Sequence, residues 1–440
     1  MASVSTLGNM SPQLLKVAER AKREPEARFN SLAHLLDVPA LERAYRRVRK
    51  DAAVGVDGVT HEQYGQGLEE NLQDLRERMK SMRYRHQPIR RVNIPKEDGR
   101  TRPIAVAALE DKVVQGAIRE VLEAVYEQDF LPCSYGYRPK RRPHDAIRTF
   151  TAAAKTGKVG WVLEADVENF FDSVDRTALM EMLQLRVADG NMLRLIGKCL
   201  HVGVLDGEKY TEPDEGTPQG SALSPLLGNI YLHCALDVWF EREVKPRLGG
   251  RSLLVRYADD FVMVFEREED AKRVEEVLPK RLERYGLKLN SKKTRRLDFR
   301  SPPEAQQGGK GPATFDFLGF TFYWRRTRKG GWRAWCKTRK ARLARAIQAI
   351  EDWCRKNRHR PIQEQHQAIK RRLDGHIQYY GVNGNTEQVQ KLIMRAGWAW
   401  FYWLRKRSQR ARRLTSERFQ QILKKYPLPR PRVVVPIWGP

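Results

Sequence analysis

Two apolar runs in this chain carry aspartates where a buried strand ends or turns, and no other feature restricts the fold as tightly. Trp161-Val162-Leu163-Glu164-Ala165-Asp166-Val167 reads as a buried strand finishing in carboxylates. Leu253 to Phe265 sets apolar arms on either side of Tyr257-Ala258-Asp259-Asp260, the pattern of a β-hairpin with two aspartates at its turn. An ionised acid in such a place is costly unless a charged partner or a metal neutralises it. For either site alone, the plain reading is an acid that ends a strand or caps a turn. Here that reading has to hold at both sites together. If the two strands are neighbours in one sheet, Asp166 and Asp259 converge. Hard oxygen ligands on rigid strands suit two Mg2+ ions that bridge a triphosphate and a hydroxyl nucleophile.

Helices and hairpins surround these runs. Residues 12–50 have apolar positions at helical spacing (Leu32, Leu35, Leu36, Leu41, Tyr45 and Val48), closed by the turn Gly55-Val56-Asp57-Gly58. Residues 61–83 form a polar helix. A hairpin with basic residues on both arms runs from Ile89 to Ile94, turns at Glu97-Asp98-Gly99-Arg100 and returns through Thr101–Val106. Helices are expected at 110–127, 143–155, 175–187 and 190–201. Ser224-Pro225, as N-cap then first turn, starts another that reaches about Val244. A charged helix at 267–285, an exposed loop at Pro302–Pro312 and a strand or hairpin at Phe315–Tyr323 follow. After Trp324 the composition turns to basic helices rich in Trp, and the domain boundary is expected there.

The charge divides at the same point. The chain has 440 residues and a net charge of +28, yet residues 325–440 hold 30 Lys/Arg against 6 Asp/Glu, or +24. A near-neutral body therefore carries a strongly basic tail, which calls for a polyanionic partner. Met1 to Met10 has no secretory pattern, and the longest uncharged stretch, Thr217 to Leu236, holds two prolines, two glycines, Gln219, Asn229 and His233. Neither a signal peptide nor a membrane span is expected. Five widely spaced cysteines without a CxxC pair argue against a disulfide framework or a zinc site, and His359, His366 and His376 read as surface or packing residues. A reducing, cytoplasmic setting is the simplest expectation, and nucleoid association is compatible with it.

The acidic runs also resemble known motifs. Tyr257-Ala258-Asp259-Asp260 is similar to the catalytic box of reverse transcriptases, and Glu164 to Asp172 to their first aspartate motif. Between them, Gly216-Thr217-Pro218-Gln219-Gly220-Ser221-Ala222-Leu223-Ser224-Pro225 resembles the motif of that family that contacts template and nucleotide. Further segments match the reverse transcriptase/maturases of group II introns: Gly55–Gly58, Ser134-Tyr135-Gly136-Tyr137-Arg138-Pro139, Leu287-Lys288-Leu289-Asn290, Phe317-Leu318-Gly319-Phe320 and Gly375–Gly381. The resemblance runs from about residue 25 to residue 432 and is to the bacterial type without a His-Asn-His endonuclease domain.

That resemblance implies an α+β fold: a right-hand polymerase whose fingers and palm (antiparallel sheet plus helices) precede an α-helical thumb, or X domain. The expected divisions are an N-terminal extension (1–60), fingers and palm (61–324), thumb/X (325–404) and a short basic DNA-binding segment (405–440). It implies metal ligation by Asp166, Asp259, Asp260 and the Val167 carbonyl, with Asp260 the more peripheral. Lys96 and Arg102 would grip the incoming triphosphate, Phe171 would exclude a ribose 2′-hydroxyl, and Gln219 and Gly220 would contact nucleotide and template. Many relatives have a second glycine where this chain has Ser221. Lys293 would protonate pyrophosphate. Of Phe170 and Phe171, one is expected in the core. The implied partners are group II intron RNA, an RNA template/DNA primer duplex, target DNA and dNTPs, with target cleavage left to intron RNA, nicks or replication-fork primers. The alternatives are a domesticated relative in host repair or defence and a non-catalytic RNA-binding maturase.

Overall fold

Short polar residues start several helices of this protein by accepting hydrogen bonds from the first free backbone amides. Ser11 accepts from Leu14 N–H and starts α1 (Pro12–Arg23); Asp37 accepts from Ala40 N–H and starts α2 (Val38–Arg47). Thr60 and Gln63 form a reciprocal capping box on α3 (His61–Gly65), followed by α4 (Leu68–Lys80). The structure is a computed structural model that describes residues 10–95, 101–155, 160–206, 209–211, 215–217, 220–302, 313–327 and 330–438.

The remaining elements follow in chain order. Strands β1 (Ile89–Pro95) and β2 (Thr101–Val106) pair antiparallel, as the alternation predicts. Helices α5 (Leu109–Tyr126) and α6 (Pro143–Lys155) lead to β3 (Trp161–Asp166), α7 (Arg176–Gln184) and α8 (Gly190–Leu200). Strands β4 (Val204–Asp206) and β5 (Lys209–Thr211) extend the first hairpin into a sheet of order β2-β1-β4-β5. Helix α9 (Ser224–Leu232) continues in wide π-helical turns over His233–Asp237 and Trp239–Val244. Next come β6 (Ser252–Tyr257), β7 (Asp260–Phe265), α10 (Glu268–Glu283) and β8 (Arg295–Asp298). The rest is β9 (Phe315–Phe317), β10 (Phe320–Arg326), β11 (Trp332–Thr338), α11 (Lys340–Asn357), α12 (Ile362–Tyr380), α13 (Thr386–Arg405) and α14 (Ser416–Lys425).

Two sequence expectations need correction. Leu223, not Ser224, occupies the cap position of α9, so Ser224 and Pro225 sit in the first turn. The Leu223 amide is taken instead by the Ser221 hydroxyl at 3.2 Å. Among the described residues, those just after Trp324 are strand and not helix: β10 and β11 pair from Phe320↔Thr338 to Arg326↔Trp332, and α11 starts at Lys340. Alternating burial along β11 outweighs the basic composition, because alternate side chains of a pleated strand face one core. The expected loop at 302–312 lies, beyond Pro302, outside the described residues.

The chain forms two compact units: residues 1–142, 165–263 and 269–295, and residues 143–164, 264–268 and 296–440. In the first, α5 is buried nearly all round, including Asp111, Gln115, Glu120 and Glu123. In the second, Phe150, Phe299, Phe315 and Phe322 pack ring on ring, with centroids 4.9–5.9 Å apart. The Phe317–Phe320 turn is held there by the Tyr379 hydroxyl, which donates to Leu318 O at 2.9 Å. Helices α11, α12, α13 and α14 close a core around Leu343, Leu373, Trp400 and Phe419. The sheet bearing the acids has the order β6-β7-β3-β8. Its acid-bearing ends lie in the first unit. No helix among the described residues is long and apolar enough to cross a membrane.

Asp111 on α5 accepts hydrogen bonds from the Tyr84 hydroxyl (2.6 Å) and Gln87 N–H (3.0 Å), but burial still pushes its carboxyl up to about 7. Between pH ~4 and ~7 the unfolded chain has lost this proton and the folded chain retains it, so this group's contribution to stability falls as pH rises through that window. Asp111→Asn is expected to remove that dependence. The difference in unfolding free energy between wild type and variant, measured in urea from pH 4 to 7.5, should change by up to about 4 kcal/mol. A constant difference would place the titration elsewhere.

Candidate active site

The expected convergence depends on β7 and β3 being neighbours, and they are. The Asp166 and Asp260 carboxyls are within hydrogen-bonding reach of each other, with Asp259 beside them. Asp260 keeps a solvent-accessible edge, but desolvation by the surrounding atoms, then Asp259 and then Asp166, push its carboxyl up to about 7. Carboxylates this close repel one another unless cations join them. A cation joins them: Lys293 Nζ donates to Asp166 Oδ2 at 2.7 Å from an otherwise exposed side chain.

The main chain around Asp166 is pinned by the Leu287–Asn290 motif. Asn290 N–H donates to Asp166 O and Glu168 N–H to Lys288 O, both at 2.8 Å, and Val167 bridges Leu289. Val167 is buried. A left-handed Asn169 (φ 46°) then turns the chain into a short 3-10 helix over Phe170–Asp172. Phe170 is buried and Phe171 half-buried, their rings 5.2 Å apart and edge to face, so one of the pair is core as expected. Thr217 N–H donates to Phe171 O at 2.7 Å, which ties the Gly216–Pro225 motif to the first aspartate motif.

The acidic turn is held by a side chain that sequence reasoning passed over. Arg256 is fully buried and spends its whole guanidinium: Nε and Nη2 donate to both Asp237 oxygens (2.7 and 2.6 Å), Nη2 to Ser134 Oγ (2.8 Å), and Nη1 to Asn229 Oδ1 (2.9 Å) and Ala258 O (3.0 Å). Ala258 adopts φ 58°, unfavourable for a residue with a Cβ, and its carbonyl is fixed in place by that arginine. Gly136 lies against it, where a Cβ would strike Ala258 N, and Asn229 Nδ2 donates to Gly136 O at 2.7 Å. The Ser134–Pro139 motif is therefore a clamp on the aspartate turn. Asn229 and Asp237 are eight residues apart, about 80° around an ideal α-helix. The π-helical turns bring both onto Arg256.

A second network reaches the 220–222 loop. Gln115 Oε1 accepts from Ser221 Oγ (3.0 Å) and Ala222 N–H (3.1 Å). Its amide nitrogen must then donate to His86 Nε2, 2.8 Å away, which requires a neutral His86 with its proton on Nδ1, facing Gln87 O at 2.7 Å. Burial holds His86 down to about 4, in agreement. The serine that stands where many relatives have glycine is thus a ligand of this network. Gly220 has φ 113°, and a Cβ there would lie 2.6 Å from Ala105 O on β2.

Of the other expected site residues, Lys96 and Gln219 lie outside the described residues, as does the Arg102 side chain; the Arg102 backbone pairs with Ile94. Arg256 and Asp237 left one signal in the sequence, a charged residue inside an apolar run. Gln115 and His86 left none.

Residues 94–322 match the family model described as reverse transcriptase (RNA-dependent DNA polymerase). The chain is similar to protein YkfC of Escherichia coli (strain K12), 34% identical over 284 residues, which is 57% of this chain and 74% of that protein. It is similar to the group II intron-encoded protein LtrA of Lactococcus lactis subsp. cremoris, 34% identical over 212 residues, 47% of this chain and 35% of that one. Nuclear intron maturase 1, mitochondrial, of Arabidopsis thaliana is 36% identical over 93 residues, 21% of this chain and 12% of its own.

Arg256→Lys keeps the charge but loses the fork that satisfies four partners. It and Asp237→Ala, which leaves an unpaired buried guanidinium, are each expected to lower unfolding free energy by about 3–5 kcal/mol. Urea denaturation of the two variants checks this; a loss below about 1 kcal/mol would mean that the pair does not hold the turn.

Proposed function

Because the chain belongs to the reverse transcriptase (RNA-dependent DNA polymerase) family, in its group II intron branch, we propose that it copies intron RNA into DNA and binds that RNA to assist splicing and retrohoming. The family carries the right-hand polymerase fold. The observation that supports the reading best is the meeting of Asp166, Asp259 and Asp260 at the joined ends of β3, β6 and β7. Asp166, Asp259, Asp260 and the Val167 carbonyl would hold two Mg2+ ions. The ions would supply activation of the primer 3′-hydroxyl and charge neutralisation on the pyrophosphate. Among the described residues no group of three or more His, Cys, Asp and Glu is arranged to hold a metal ion by itself. Mg2+ bound by one or two carboxylates together with substrate phosphates needs none.

The chain's own residues divide the remaining work. The Arg256 clamp fixes the aspartate turn before substrate arrives, so no reorganisation is required at the moment of transfer. Lys293, which pairs with Asp166, gives a proton to departing pyrophosphate. Lys96 and Arg102 on the β1–β2 hairpin neutralise the triphosphate, and Gln219 and Gly220 meet nucleotide and template. Phe171 blocks a 2′-hydroxyl. Residues 1–60 extend the fingers, 61–324 make fingers and palm, and 325–404 make the thumb, whose cations hold duplex backbone and intron RNA by phosphate contact. Residues 405–440 serve as a short target-DNA segment.

Wild-type chain with Mg2+ is expected to extend a DNA primer on an RNA template, and Asp259→Ala to slow this by roughly 10^3-fold. Equal extension by both would sink the polymerase reading and favour a maturase that only binds RNA. Phe171→Ala is expected to incorporate ribonucleotides in the same assay. If its sugar discrimination matches wild type, Phe171 is not the gate.

A further inference from the structure

Helix α13 has two faces of different chemistry. Leu392, Ala396, Trp400 and Leu404 are buried in the helical core, and Trp400 Nε1 donates to the buried Gln365 Oε1 at 3.0 Å. On the opposite side, Met394, Arg395, Trp398, Tyr402, Arg405 and Lys406 fall within an arc of about 120°. Trp398 is 71% exposed, Met394 51% and Tyr402 50%. An indole this bare is unusual, since Trp is among the most strongly buried side chains on average.

Cations accompany the aromatics. Lys406 Nζ stands 5.5 Å from the Tyr402 ring centre. From Thr386 to Arg413 the sequence has eight Lys/Arg and one acid, Glu387, which pairs with Arg325 at 3.5 Å. A second protein copy presenting the same charge would be repelled. A polyanion with flat, apolar faces fits both halves of the pattern: phosphates for the cations, and bases for the rings. Trp398 and Tyr402 are one turn apart, about 6 Å along the axis. That is nearly twice the ~3.4 Å rise of stacked nucleotides, so successive bases meet both rings only when unstacked from each other.

We propose that this face of α13 is a stacking platform for unpaired RNA nucleotides, with Trp398 and Tyr402 as the base-contacting residues and Arg395, Arg405 and Lys406 on the phosphates. The choice of RNA over other nucleic acid rests on the function proposed above. The platform separates the single-stranded loops and bulges of a folded RNA from its duplex stems, which the surrounding cations bind without discrimination.

The test is fluorescence anisotropy of the full chain with three probes: a 12-nucleotide oligoadenylate RNA, its DNA counterpart and a blunt RNA duplex. Trp398→Ala/Tyr402→Ala is expected to weaken oligoadenylate RNA binding about ten-fold or more and duplex binding less than two-fold, while Trp398→Phe/Tyr402→Phe retains most of the affinity. The platform is overturned by an unchanged RNA affinity, or by equal losses on single strand and duplex. A DNA oligomer bound by the wild type as tightly as the RNA overturns the assignment to RNA. A fall in sedimenting mass of the alanine variant overturns the proposal in favour of an interface between copies. Primer extension plays no part in the readout, so a wild-type chain without polymerase activity would refute the function proposed above and leave this result standing.

Discussion

One fully buried guanidinium holds together three segments that the sequence keeps apart. Arg256 binds Asp237 with two hydrogen bonds, and adds Ser134, Asn229 and the carbonyl of Ala258. Charge burial of this kind is expensive, and only complete pairing offsets it. What it secures is geometry. The turn that carries Asp259 passes through a left-handed Ala258, a conformation that needs support from outside the hairpin. The Ser134–Pro139 segment and the π-helical continuation of α9 supply that support. The acids in turn generate the electrostatic demand for cations that defines the site.

The molecule places opposite electrostatics in different regions. Acids gather at strand ends within a nearly neutral body, and most of the excess positive charge follows Trp324. Carboxylates on rigid strands suit ions and triphosphates. Cations on long helices suit extended phosphate backbones, where flexible lysines and arginines adapt to a partner of varied shape. The Gln115–His86 network belongs to the first class of device: neutral, buried, and fixed in one tautomer by the amides it serves.

Much of the site was legible in the residues. Strand patterning and turn chemistry located β1–β2, β3 and the β6–β7 hairpin, and the motif order singled out Asp166, Asp259 and Asp260, which the fold brings together. Two local readings failed because tertiary packing overrode a local preference. Ser224 falls in the first turn of α9 and not at its cap, and residues 332–338 became strand because alternate side chains found a core. Helical phase groups Trp398 apart from Trp400, but only the packing of α11 and α12 decides which of the two is covered.

The sequence by itself determined which chemistry the chain carries: acids at strand ends, a basic tail and helices of set phase. These are properties of residue type and short-range periodicity, which a linear chain displays directly. Tertiary structure alone decided which distant groups became partners. Asp237 and Arg256, Gln115 and Ser221, and Gly136 and Ala258 meet across 19, 106 and 122 positions of sequence. Nothing local distinguishes a lone charge in an apolar run from half of an ion pair, because the desolvation that makes pairing obligatory exists only after the core has closed.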